Sequence, residues 1–126
     1  MKIAELRGEF DYGIAVIADD ETDGEVPDFS RDMSQLAVQG DGILLVRVQH
    51  GQDGEATIRV WNSGEYGEGT LAYESTLHIP SGVVWLRDVP ALIEAGVRLS
   101  PGSYKCRIYV DQVIQATSVD IHFTAP

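Results

Sequence analysis

The amino-acid sequence predicts an all-β protein, an antiparallel β-sandwich of about eight strands with at most short helical turns. Three observations lead there. Apolar residues recur with a period of two along most of the chain, turn-forming clusters interrupt them at spacings of roughly 10 to 20 residues, and no helical run between them is long enough for a βαβ crossover. The chain of 126 residues reads as one domain spanning 1–126. At this length folding buries about two-thirds of the unfolded surface, so neither a disulfide nor a metal is needed to hold it.

The elements follow in chain order. Ile14 to Ala18 and Ile43 to Val48 are apolar on both faces at their centres, which predicts strands in the middle of a sheet or beneath a covering loop. Between them, Phe29 to Leu36 could hold a helical turn capped by Ser30. In Thr57 to Trp61, Ile58 and Val60 oppose Thr57, Arg59 and Trp61. Leu71, Tyr73, Leu77 and Ile79 share a face opposed by Glu74, Thr76 and His78. A strand from Val83 follows the Pro80-Ser81-Gly82 turn, and Trp85 is expected in the core. Asp88 could cap a second helical turn reaching Ala95, with Pro90 near its first turn. Tyr104, Cys106, Ile108 and Val110 then alternate with Lys105, Arg107, Tyr109 and Asp111, and Val119, Ile121 and Phe123 with Ser118, Asp120 and His122. The expected inward set is completed by Ile14, Val16, Leu44, Val46 and Val48. In Leu99-Ser100-Pro101-Gly102-Ser103-Tyr104 the Pro-Gly pair predicts a type II turn, and the inward tyrosine should tie its hydroxyl back to nearby backbone.

Charge supplies the functional hint. The formal net charge is −11, and Asp19, Asp20, Glu21, Asp23, Glu25, Asp28 and Asp32 crowd into one short segment relieved by Arg31. Like charges this close repel unless water and salt screen them, which predicts an exposed loop. It is either a solvated connection or a surface presenting phosphate-like charge to a basic protein. Nucleic-acid backbones and anionic lipid would be repelled, so direct binding to either is not expected. A single cysteine, no signal-peptide pattern and no apolar run of spanning length make the cytoplasm the expected location.

Catalytic and cofactor motifs are missing. Asp19, Glu21, Asp23 and Gly24 resemble the opening of an EF-hand loop, but Ser30 stands where the bidentate Glu belongs and Pro27 interrupts. His50, His78 and His122 fall at separate strand ends, without metal-ligand spacing. Cys106 sits on an apolar face, where a thiol is inert. No catalytic residue, metal or cofactor is therefore expected. Trp61, on the wet face of its strand and close to Tyr66, is the candidate exposed anchor for a partner.

Layout adds a resemblance. Phe10-Asp11-Tyr12-Gly13 leads into an early strand followed by an acidic connection, and Gly42 opens an apolar strand. A central pair of strands ends in His78-Ile79-Pro80, and Gly82-Val83-Val84 and Leu99-Ser100-Pro101-Gly102-Ser103-Tyr104 precede the later strands. This order resembles the small bacterial competence-protein J family. The resemblance implies a non-catalytic inhibitor of a DNA-entry nuclease, akin to small β-sandwich immunity proteins encoded beside toxins, and assigns no inhibitory residue. An acidic protein can occupy the basic cleft of such an enzyme. Two other classes fit the composition: a structural or assembly β-domain of a phage or secretion system, and a small-ligand or carbohydrate-binding sandwich with a concave site lined by Trp61, Tyr66 and Tyr73.

Overall fold

Two five-stranded sheets pack face to face in a computed structural model that describes residues 1–22, 36–62 and 69–125. The described strands are β1 (Lys2–Gly8), β2 (Ile14–Asp19), β3 (Ala37–Gly40), β4 (Ile43–Arg47), β5 (Ala56–Trp61), β6 (Thr70–Ile79), β7 (Val83–Asp88), β8 (Glu94–Arg98), β9 (Gly102–Val110) and β10 (Ser118–Thr124). One sheet runs β1-β5-β10-β9-β6 and the other β3-β4-β2-β7-β8. All pairings are antiparallel except β5 with β10, which run parallel with Ile58 beside Val119. Among the described residues, single 3-10 turns at Asp11–Gly13 and Gly51–Asp53 are the helical elements.

Alternation places the core. In β5 every second residue, Ala56, Ile58 and Val60, is buried, and in β9 so are Cys106, Ile108 and Val110. These meet Ile17, Leu44, Val46, Val84 and Leu86 from the opposite sheet in one cluster. Each side chain of this size contributes about 1.5–3 kcal/mol when fully buried. The same environment removes water from Cys106 and pushes its thiol up to about 12. Because the unfolded thiol ionises near pH 8.5 to 9, the unfolded state sheds its proton first, and stability should fall as pH rises through the window from about 9 to 12. At pH 8 the native thiol should react with Ellman's reagent at least about 100-fold more slowly than in urea. Equal rates would place Cys106 at the surface.

The sandwich forms as expected, with ten described strands against about eight, the edge segments β1, β3 and β8 taking their order from a neighbour more than from their own pattern. Several expectations need correction. Asp88 does cap, but it caps a loop: its carboxylate accepts hydrogen bonds from the backbone of Leu92 at 2.7 Å and Ile93 at 3.3 Å, and Glu94 onward pairs with β7. In β2 the inward residues are Ala15 and Ile17, while Val16 joins Ala18, Ile43 and Leu45 in a second buried cluster, with Ile14 packed against it. A strand apolar on both faces carries no local information about which face meets the core. Trp85 lies on the outward side of β7, alternating with buried Val84 and Leu86. The helical turn expected over Phe29 to Leu36 falls almost wholly outside the described residues; Leu36 itself is buried beside the start of β3.

The tyrosine tie is present, with the Tyr104 hydroxyl donating to the Ser100 carbonyl and its ring edge-on to Phe123 at 6.1 Å. The predicted type II turn is not formed. Gly102 has φ 150 and already begins β9, so the chain bends there instead of making the reversal with φ near +80. The neighbouring Gly82 has φ 75, and a Cβ there would sit 2.6 Å from the Leu99 carbonyl oxygen, which fixes glycine at the β6 to β7 turn.

Candidate functional site: an acidic rim at one end of the sandwich

The acidic segment begins where β2 runs out. Backbone bonds from Asp19 to the Gly42 carbonyl at 2.8 Å and from Asp20 to the Val83 carbonyl at 2.9 Å extend the sheet for one more step. Thr22 then folds back, its amide on the Asp19 carbonyl at 3.1 Å and its hydroxyl on the Asp41 carbonyl at 2.9 Å. This brings Glu21 and Asp41 to the mouth of a depression of about 160 Å³, whose walls include Asp19, Thr22, His78 and Pro80. Glu21 and Asp41 are exposed and can present charge to a partner.

Asp19 cannot. Only 2% of it is exposed, contrary to the expectation that the whole run lies in water. One carboxylate oxygen accepts from the Ser81 hydroxyl at 2.8 Å and the Ser81 amide at 3.2 Å, and the other from the Glu21 amide at 2.8 Å. These donors compensate the anion for lost water, so Asp19 braces the β6 to β7 turn against the end of β2. Asp20 is exposed, and its carboxylate accepts from the Trp85 indole at 2.8 Å on the outward face of the same sheet. Asp23, Glu25, Asp28 and Asp32 lie outside the described residues, as does Tyr66.

Trp61 is not part of this rim. It lies half-buried on the outward face of the other sheet, donating its indole N–H to Asp120 at 2.8 Å and stacking on His122 at 5.6 Å with the rings 6° from parallel. It stands on β5, with β10 and β9 between it and His78 of the rim on β6. Of the three aromatics that the ligand-binding alternative would need in one concave site, the two described ones do not come together. Trp61 on β5 and Tyr73 on β6 are separated by β10 and β9, and the Tyr73 hydroxyl is bound to Gln39 of the opposite sheet at 2.8 Å.

Ion pairs between described residues gather on the sheet of β1 and β6, whereas Arg98, across from Val83, stands exposed on the strand beside the rim. On that sheet and at the residue leading into β5, Lys2 and Arg59 pair with Glu5, Arg59 also with Asp120, Arg7 with Glu55, and Lys105 and Arg107 with Glu74. Hydrogen bonds from Arg107 and Lys105 hold the Glu74 carboxyl below its usual range, and a hydrogen bond from Lys2 does the same for Glu5. The sequence shows where the acids are but not this partition. Asp19 at the end of an apolar run was the local signal that one of them would be buried.

Among the described residues no cluster of three or more His, Cys, Asp or Glu could hold a metal, and no helix is long and apolar enough to cross a membrane. No family model matches the sequence, and no curated protein matches it. Two solved structures share the fold. The first is ComJ of Bacillus subtilis, described as the inhibitor of the DNA-degrading activity of NucA, at a TM-score of 0.79 and 13% identity over 100% of this chain and 98% of that one. The second, described as crocagin biosynthetic gene J, matches at a TM-score of 0.56 and 11% identity over 98% of this chain and 96% of that one. The fold implied by the family resemblance is therefore the fold observed.

Proposed function

We propose that this chain is a non-catalytic binding module that inhibits a basic, DNA-cleaving protein, using the acidic rim and the acidic segment that continues from it. The observation that carries the reading is the end-to-end likeness to the nuclease inhibitor ComJ. The rim adds a physical rationale. A nuclease must present basic groups to the DNA backbone, and carboxylates such as Glu21 and Asp41 can occupy the same groups while steering association. Asp19 and Asp20 serve the site indirectly, since their side chains are spent on Ser81, the Glu21 amide and Trp85.

Capture from the native cell at low salt, with stepwise salt elution, tests this. The expected result is a basic protein whose cleavage of linear DNA is suppressed by one equivalent of the chain. A captured partner that is acidic, or a nuclease that cuts at full rate when saturated with the chain, would overturn it. With such a partner, Glu21→Gln, Asp23→Asn, Glu25→Gln and Asp41→Asn together should slow association by about 10-fold or more at low salt and flatten its salt dependence, with little change in dissociation. Stopped-flow rates at two salt concentrations read this directly, and an unchanged salt slope would reduce the acidic run to a solvated connection.

A further inference from the structure

The end of the sandwich opposite the acidic rim carries a second surface of different chemistry. Five of its side chains are large, apolar and exposed: Tyr12, Val89, Leu92, Val113 and Ile114, with Tyr12, Leu92 and Ile114 at 69%, 74% and 80% exposure. They sit on three loops, the Asp11–Gly13 turn before β2, the β7 to β8 loop and the β9 to β10 loop. The loops share one end of the fold. Ala15 pairs with Asp88 where β2 starts, Ile93 fills the space against Gly8, and the segment after β4 bonds to both other loops, Val48 to the Gly13 carbonyl at 3.0 Å and Gln49 to the Ala116 carbonyl at 2.9 Å.

These loops are built rather than merely exposed. Asp88 gathers the amides of Leu92 and Ile93, and Asp111 gathers the amides of Gln112, Thr117 and Ser118 at 2.9, 3.0 and 3.2 Å. Burial works against the Asp111 carboxylate, but the hydrogen bonds from Thr117, Ser118 and Gln112 outweigh it and hold the group below its usual range. In both loops a carboxylate draws the backbone inward and leaves two apolar side chains pointing out. Each of the three loops also holds a non-glycine residue in the left-handed region, Tyr12 at φ 66, Ala91 at φ 58 and Gln115 at φ 54, and these are the positive-φ non-glycine residues among the described ones. Backbone strain of this kind persists where the surrounding structure imposes it, and it gathers at functional surfaces. Fixing apolar tips in advance lowers the ordering cost of binding.

We propose that this end is a protein-docking surface, distinct from the acidic rim, that takes a partner presenting an apolar recess ringed by lysine or arginine. The ring of the partner follows from the charge around the tips. Glu9, Asp53 and Glu94 are exposed there, with Asp11 beside Tyr12. Of the arginines that share that end, Arg7 is held by Glu55 at 3.2 Å, and Arg47 and Arg87 are half-buried, Arg87 across from Glu94, so the carboxylates dominate. A second copy would bring the same carboxylates face to face at a formal charge of −11 each, and an anionic membrane would repel them. The proposal is independent of nuclease inhibition, because it rests on the other end of the molecule.

The probe is a synthetic helical peptide with a leucine and phenylalanine face flanked by lysines, compared with a lysine and serine peptide of equal charge. Amide shifts on titration should move in 88–93 and 111–117 with the first peptide and not with the second. Leu92→Ser with Ile114→Ser should weaken that binding at least tenfold while the thermal midpoint holds, as expected for exposed positions. Equal binding of the two peptides, or an unchanged affinity of the double variant, overturns the proposal. So does concentration-dependent self-association that the double variant abolishes, which would make a second copy the occupant, or flotation with phosphatidylcholine vesicles, which would make it lipid.

Discussion

Truncating Phe123 to Ala lowers the unfolding free energy by about 3–5 kcal/mol, a large share of the roughly 5–15 kcal/mol that holds a domain of this kind together. The ring is 1% exposed, lies in the main cluster and receives the edge of Tyr104. Its removal opens a cavity that neighbouring strands cannot close, because β10 is held by β5 on one side and β9 on the other. Urea titration should show a lower midpoint with an unchanged slope. A variant as stable as the parent would mean that the two sheets do not meet where the structure places them.

Replacing Asp19 by Ala costs about 2–3 kcal/mol, far more than any neutralisation of the exposed acids. Its carboxylate satisfies the amide and hydroxyl of Ser81 and the amide of Glu21, and an alanine leaves these donors facing a site that water reaches poorly. Asp41→Asn, at an exposed position of the same rim, should shift stability by no more than about 0.5 kcal/mol in either direction. Comparing the two variants by urea titration separates the brace from the charged surface. If Asp19→Ala unfolds at the parent's midpoint, the residue belongs to a solvated loop after all.

The difference between these two aspartates marks how far the sequence could be read. Seven carboxylates between Asp19 and Asp32 identify a charged region, but whether one of them is solvated depends on what the fold places beside it. For Asp19 that neighbour is Ser81, 62 residues away, in a turn that looks from the sequence like any other Pro-Ser-Gly reversal. Trp61 shows the same limit. Alternation correctly put it on the outward side of its strand, yet its indole is occupied by Asp120, a partner supplied by the parallel pairing of β5 with β10.

By itself, the sequence determined the all-β class, the wet and dry faces of β5 and β9, the inward face of β10, and the tyrosine that ties back to Ser100, because period-two burial and turn chemistry are local properties. It missed that Asp120 and His122, on the outward face of β10, are buried as well. Tertiary structure alone decided the edge strands β1, β3 and β8, whose hydrogen bonds exist only when a neighbouring strand offers its ladder. It also decided the inward face of β2, which is apolar on both sides, and the gathering of Tyr12, Leu92 and Ile114 at one end. Each of these depends on which strands become neighbours, a free-energy balance over pairs far apart in the chain that no local window of residues contains.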